Sequence, residues 1–394
     1  MDEQNLPVYI SDLDLEGLRD LVHSLGLPTY RAGQITRWIY RQGVFDFQRM
    51  TDLPAGVRDV LTSRARAHSG EVITRLDGAD GTTKFAVVLP DGQVIETVLL
   101  AYRFGYSVCV STQAGCRMGC RFCASTIGGR VRDLTPGEMM TQVLIAHEEA
   151  LSRPASGRAG SDPDDPDHEG TFVSGTSTRG PLFGVRRVVL MGSGEPFDNY
   201  SSVLEFLHRL VHPGLMGLGA RRITVSTSGI VPGILDLARS GLGVNLAVSL
   251  HAPDDATRTM LMPIARKWPV SEVIGASQEY FRLTGRRVTF EYALIKGVND
   301  SREQAEELAR LLSGFPCHVN LIRLNPVAAG KFVPADKYTV EQFAGVLAAH
   351  HVAVTVRRQL GIDIDAACGQ LRRRFAPVYT GAGTGEDDTG EDNS

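Results

Sequence analysis

The chain predicts an α/β fold: a partial (β/α)6 barrel behind a small N-terminal helical domain and a short β-meander. Three observations carry this. From residue 107 onward, short apolar runs alternate with helical patterns. The runs place strands at 107–111, 186–192, 222–226, 243–249, 287–295 and 317–324, with helices near 136–152, 200–211, 232–240, 270–284 and 301–313. Several helices open on capping boxes, Thr135 with Glu138, Ser301 with Gln304 and, for a later helix, Thr339 with Gln342. The stretches after the strands are polar and glycine-rich, as at the C-terminal rim where parallel α/β folds gather their chemistry. Six units fall short of a closed eight-unit barrel.

Ahead of the barrel, residues 12–67 show helical periodicity broken at Leu27-Pro28 and Leu53-Pro54, so 1–68 reads as a helical accessory domain. Thr74–Leu76 and Thr83–Leu89 flank Asp77-Gly78-Ala79-Asp80-Gly81, and Gln93–Leu100 follows Pro90-Asp91-Gly92, giving a β-meander over 69–104. The barrel takes 105–375. Within it, 154–180 is rich in Gly, Ser, Pro, Asp and Thr and reads as a disordered insertion, as does the acidic tail 376–394.

A hydrophobic fraction of 43% with 22% charged residues fits an ordinary globular protein. No run approaches the ~20 apolar residues of a membrane span, and Met1-Asp2-Glu3-Gln4 lacks the basic-then-apolar order of a signal peptide. A cytoplasmic protein is expected, whose six cysteines stay reduced and serve as ligands or reactive groups. Net charge is −4, yet the tail contributes −5 and the insertion −3, leaving the remainder mildly basic and compatible with a phosphate-bearing partner.

Cys116-Arg-Met-Gly-Cys120-Arg-Phe-Cys123 packs three thiols into one loop with no fourth cysteine nearby. A [4Fe–4S] cluster takes four thiolates, so three would leave one iron open to a small molecule. That spacing is the radical S-adenosylmethionine (SAM) signature. A structural zinc site would want four closed ligands. After the other strands come Met191-Gly192-Ser193-Gly194-Glu195-Pro196, Ser226-Thr227-Ser228-Gly229, Ser249-Leu250-His251 and Asn325-Pro326. Glycine N–H groups and a carboxylate at a strand end suit an amino-acid headgroup, here the methionine part of SAM. Ser226, Ser249, His251 and Asn325 are candidate hydrogen-bond partners for ribose, adenine or carboxylate. Cys109 lies on the first barrel strand and Cys368 in a Gly-flanked run of small residues, whereas Cys317, beside Pro316, reads as a core residue.

Val108–Cys116 with its three-cysteine loop, Met191–Pro196, Ser249-Leu250-His251-Ala252-Pro253, Ala366-Ala367-Cys368-Gly369-Gln370-Leu371 and the entry residues Tyr30-Arg31-Ala32 and Gln34…Trp38 together resemble the RlmN/Cfr family of radical SAM RNA adenine methyltransferases. The resemblance runs from about residue 12 to 375 and is nearest the housekeeping, carbon-2 branch; the insertion is its one departure. It implies a [4Fe–4S] cluster on Cys116, Cys120 and Cys123, and two SAM molecules per turnover. SAM contacts fall on Gly194, Glu195, Ser226, Ser249, Leu250, His251 and Asn325. Cys368 would accept a methyl group as thiolate. A 5′-deoxyadenosyl radical would take hydrogen from that S-methyl, and the carbon radical would add to carbon 2 of adenine. Cys109 would then attack the sulfur, releasing methylated RNA and leaving a transient Cys109–Cys368 disulfide. Glu96 matches the family's proton acceptor, its plain alternative being a solvent-facing strand residue. The implied substrates are 23S rRNA, at an adenine in the peptidyl-transferase centre, and tRNA, through bases splayed into a pocket. The resemblance further implies an electron donor such as flavodoxin or ferredoxin, a monomer, and no membrane. Arg31, Arg37, Arg41, Arg64 and Arg66 offer a phosphate-contacting surface, which solvated helix faces explain nearly as well.

Three other readings compete. A Cfr-type enzyme would methylate carbon 8 of the same rRNA adenine and confer antibiotic resistance. A non-catalytic metal-bound RNA-binding module would hold zinc and have no need of Cys368. A radical SAM enzyme acting on peptides would give no reason for the Cys109/Cys368 pair.

Overall fold

The computed structural model describes residues 7–102, 104–153, 184–325, 332–367 and 369–371. The N-terminal part holds α1 (Leu15–Ser24), α2 (Arg31–Thr36) and α3 (Ala55–Arg64), clasped by a two-stranded parallel ladder of β1 (Val8–Tyr9) and β2 (Ala65–Arg66). Asp14 starts α1 by accepting the Gly17 N–H at 2.7 Å. The part is bolted to the rest through arginines. Arg41 donates to the carbonyls of Pro213 and Met216, and Arg209 to those of Ser11 and Asp12.

The strands that follow are β3 (Glu71–Asp77), β4 (Thr83–Val88), β5 (Val94–Tyr102), β6 (Gly105–Cys109), β7 (Gln113–Gly115), β8 (Arg130–Asp133), β9 (Val185–Leu190), β10 (Ile223–Thr227), β11 (Asn245–Ser249), β12 (Val288–Leu294), β13 (Cys317–Arg323) and β14 (Ala353–Val356). Between them lie α4 (Pro136–Ser152), α5 (Tyr200–Val211), α6 (Val231–Arg239), α7 (Asp255–Leu261), α8 (Val270–Thr284), α9 (Arg302–Leu312) and α10 (Lys337–Ala349). One ten-stranded sheet runs in the order β14-β13-β12-β11-β10-β9-β6-β5-β4-β3. β6 and β9 to β14 are parallel, while β3 to β6 form an antiparallel meander. The sheet stays open, as a partial barrel requires, with edges at β14 and β3. Val188, Val225, Leu246, Val248 and Phe290 on its strands share one buried core with Met139, Val143, Phe206, Leu237, Tyr280 and Leu308 on the helices.

The expected strands and most helices fall within a residue or two of where periodicity sets them. The capping boxes at Thr135 and Ser301 are formed. Three features differ. α10 is capped by Asp336, which accepts the Thr339 N–H at 2.8 Å, so the helix begins ahead of the expected Thr339 box. β14 adds a further parallel strand, too short and too partially exposed to show a buried-strand pattern. The meander is no separate layer, because β5 pairs with β6 and Val98 sits opposite Cys109. The insertion 154–180 and the tail 376–394 lie outside the described residues. Among the described residues, no helix is long and apolar enough to cross a membrane.

Candidate active site

The C-terminal ends of the parallel strands open into one cleft of about 160 Å³, lined by Cys116, Cys120 and Cys123 together with Gly192, Gly194, Glu195, Ser226, Ser249, His251 and Asn325. The cysteine loop is the connection of the antiparallel β7–β8 ladder. Gly115 makes that ladder possible: its φ is +81°, and a Cβ there would lie 2.0 Å from the Gly129 carbonyl oxygen. The loop is held from both sides, Arg121 donating its N–H to Leu261 and Ala124 donating to Gly369. Burial pushes the Cys116 thiol up to about 12 and the Cys120 thiol well above its ordinary value, and each is raised further by Cys123 nearby.

A single tetrahedral ion needs donors converging on one point. Among the described residues, no group of three or more His, Cys, Asp or Glu is arranged that way. Three thiols lining one cleft offer a cube three different cysteine ligands, one for each of three irons. Opposite them, Gly194 has φ +111°, and a Cβ there would sit 2.6 Å from Thr112 Oγ1, so the backbone passes close to the loop after β6. The buried Ser228 hydroxyl lines the same cleft and has no partner among the described residues. Glycine backbone, a carboxylate and an open hydroxyl fit the polar end of SAM.

Glu195 is buried at the start of the loop after β9. Its carboxylate accepts from Thr227 Oγ1 at 2.7 Å, from the Ser228 N–H at 2.6 Å and from the Phe197 N–H at 3.1 Å. Burial pushes its pKa above the ordinary carboxylate value and these bonds oppose the rise. His251 stands in a left-handed backbone conformation, φ 59°, and its Nδ1 accepts the Ala293 N–H at 2.9 Å. Burial, with Arg258 beside it, holds the imidazole down to about 3, so it is neutral with its proton on Nε2. Leu250 differs from its neighbours: its side chain joins the core, and only its backbone belongs to the strand end. Asn325 accepts from Gln359 Nε2 at 2.9 Å.

Sequence reasoning missed the residue that ties these loops together. Arg258 of α7 is fully buried and donates to the carbonyls of Ser228, Ser249, Leu250 and Trp268. It also missed Glu291 and Arg357, a pair 3.6 Å apart on the cleft wall, with Asn320 donating to Glu291 at 3.0 Å. None of the three carries a motif; only the topology brings them in.

A second cavity, of about 40 Å³, shares Met191, Ile322, Asn325 and Arg357 with the first. Cys109 lines it, buried and packed in one cluster with Val98, Leu360, Ala366 and Leu371. Cys368 itself lies outside the described residues, but its sequence neighbours do not: Ala367 lines this second cavity, and Gly369 lines the large cleft. Cys317 is a buried residue opening β13. Glu96 is not solvent-facing; it is 5% exposed and ion-paired to Lys84 at 3.3 Å. Of the arginines read as a phosphate surface, Arg31, Arg37, Arg41 and Arg66 each donate to an acceptor of the protein itself.

Open parallel sheet and three-thiol mouth define a radical SAM enzyme, and residues 181–312 match the radical SAM superfamily, whose cofactors are a [4Fe–4S] cluster and SAM. Residues 8–67 match the ribosomal RNA large subunit methyltransferase N-terminal domain. The chain belongs to the RlmN family of RNA methyltransferases. It is 47% identical to a probable dual-specificity RNA methyltransferase RlmN of Pelotomaculum thermopropionicum, over 94% of this chain and 92% of that one. A protein of the same description from Clostridium novyi is 41% identical over 93% and 98%. The crystal structure of a radical SAM methyltransferase from Sphaerobacter thermophilus superposes with a TM-score of 0.83 at 44% identity, covering 93% of this chain and all of the other.

Proposed function

We propose that this chain methylates carbon 2 of adenine in 23S rRNA and in tRNA through an S-methylated Cys368. The observation that carries this reading is the position of Cys109. Its thiol shares a cluster with Ala366 and Leu371, which bracket Cys368, and its cavity shares a wall with the three-thiol cleft. A radical SAM mouth needs no thiol there. A two-cysteine methyl relay does.

Cys116, Cys120 and Cys123 would hold the cluster, and Gly194, Glu195, Ser226, Ser249, Leu250, His251 and Asn325 the SAM. Cluster and SAM together supply the 5′-deoxyadenosyl radical, the hard chemistry that the protein only positions. Glu195 Oε2 accepts from the Ser228 N–H, and a carboxylate oxygen has a second acceptor direction that the ligand's ammonium can use. His251, neutral and with its Nδ1 engaged, can offer Nε2–H as a donor. Cys368 accepts the methyl group as thiolate, and Cys109 attacks its sulfur to release the product, leaving a Cys109–Cys368 disulfide for reduction. Glu96 takes the proton from carbon 2. A one-electron donor such as flavodoxin or ferredoxin supplies the cluster, and a cytoplasmic monomer is the form in which we expect the chain to act.

Mass spectrometry of rRNA and tRNA from a deletion strain tests the regiochemistry. Loss of 2-methyladenosine, restored by the wild-type chain, is expected. Persistence of 2-methyladenosine with loss of 8-methyladenosine would assign the chain to the carbon-8 branch instead.

A further inference from the structure

Lys84 of β4 is a lysine that the chemistry above leaves unused, and it is 5% exposed. Lysine ammonium groups are seldom buried without a task or a full set of acceptors. Its Nζ lies 3.3 Å from Glu96 Oε1 and donates to the Asp365 carbonyl at 3.1 Å. Lys84 sits opposite Val98 and Glu96 opposite Ala86, so Lys84, Glu96 and Val98 share one face of the meander. On the next strand Cys109 sits opposite Val98. That face carries the ammonium, the carboxylate and the thiol on three successive strands, and the segment 361–367 meets it through Asp365 at Lys84 and Ala366 at Cys109.

The same segment is clipped twice more by the β3–β4 turn. Asp363 Oδ2 accepts the Ala79 N–H at 2.9 Å, and Asp80 Oδ2 accepts the Gly361 N–H at 2.8 Å. Asp365 itself takes a left-handed conformation, φ 51°, which a non-glycine residue adopts only when its surroundings hold it there. The Lys84 ammonium donates to the carbonyl of this left-handed residue.

We infer that Lys84 is a positioning residue for methyl transfer. Its ammonium holds the Glu96 carboxylate and the Asp365 carbonyl together, fixing the arm that leads into Cys368 over the face bearing Cys109. The inference rests on the reading of Cys368 and Glu96 given above. Stability alone gives a poor reason for the pair, since buried ion pairs are often replaceable by apolar residues at no loss. Without the ammonium, the buried Glu96 carboxylate loses the cation 3.3 Å away and the arm loses the bond to the Asp365 carbonyl. Radical formation in the cleft proceeds, but the methyl carbon is out of place to use it.

The test is a coupling ratio: 5′-deoxyadenosine formed per methyl group placed on RNA, measured on reconstituted holoenzyme carrying Lys84→Met, Lys84→Arg or Glu96→Gln. Lys84→Met should raise the ratio about 10-fold or more, the scale expected of a small misplacement of reacting atoms, with cluster absorbance and SAM affinity unchanged. Lys84→Arg keeps the charge and the donors and should stay within about 3-fold of wild type. Should the methionine variant fail to accumulate, Lys84→Gln is held to the same ratio. An unchanged ratio overturns the inference, even if total activity or melting temperature falls, because a merely structural lysine lowers both without uncoupling them. Full methylation by Glu96→Gln would instead remove Glu96 as proton acceptor and leave the Lys84 result to be judged on its own ratio.

Discussion

The wall of the mouth and the arm beside it are built in opposite ways. The wall, at the ends of β9 to β12, is locked from within: Glu195, Arg258, His251 and Asn299 are buried, and each bonds the backbone of a neighbouring loop. The arm, residues 357–367 and 369–371, packs on β5 and β6 and is clipped by Lys84, Asp80 and Ser125. Gly361, Asp365 and Gly369 give it three left-handed positions. A cofactor site gains from being preformed, because pre-organised donors need not reorder when the ligand binds. On the relay proposed above, Cys368 would meet first a methyl donor, then RNA, then a second thiol, and would gain from a tether that can shift. The contrast separates what holds the cofactor from what carries the methyl.

The largest effect should come from the thiols of the β7–β8 loop, which face that wall across the cleft. Cys120→Ala is expected to abolish both cluster absorbance and 5′-deoxyadenosine formation while the apo-protein keeps its far-ultraviolet spectrum; iron retained at wild-type level would contradict the assignment. Next is Arg258→Met. It strands buried carbonyls of Ser228, Ser249 and Leu250 and should cost about 3 kcal/mol or more in denaturant unfolding, with weakened SAM binding. An equal loss from Asp363→Ala, on the arm, would erase the distinction drawn here.

Acid should weaken the molecule in a defined window. Burial holds His251 down to about 3, and His68 and His147 to about 4, all below the ordinary 6.5. As pH drops through 6.5 the unfolded chain takes up protons that the fold refuses. Stability is therefore full above that point and declines toward pH 4. The loss at about pH 5.5 should be roughly 1 kcal/mol per histidine. Melting at pH 7.5 and 5.5 checks it, and His251→Gln should remove one share of the slope. The smallest effect belongs to the arm's outer clip: Asp363→Ala should change stability by under about 1 kcal/mol, yet raise amide exchange across 361–367.

How far this was legible in the sequence follows from the kind of signal each part leaves. The parallel strands β9 to β13 read clearly because each is a short apolar run buried over most of its length or at about every second residue, and α4 and α9 because their capping boxes are local. β14 and α7 escape a reading by periodicity through brevity, four and seven residues holding only about two periods each. In the site, Cys116, Cys120 and Cys123 announce themselves by spacing, and Gly194-Glu195 by its place at a strand end. Arg258, Glu291, Arg357 and Lys84 leave no trace, since each acts through contacts across the fold. Lys84 meets Asp365 only because the meander joins the main sheet, and no local pattern encodes that meeting.

The two-cysteine relay is tested most directly by Cys109→Ala. Incubated with SAM, a reductant and target RNA, then digested, the variant should yield a stable adduct in which Cys368 carries an adenine joined through a methylene at carbon 2. Free methylated RNA released by that variant at the wild-type rate, with no adduct on Cys368, would contradict the account.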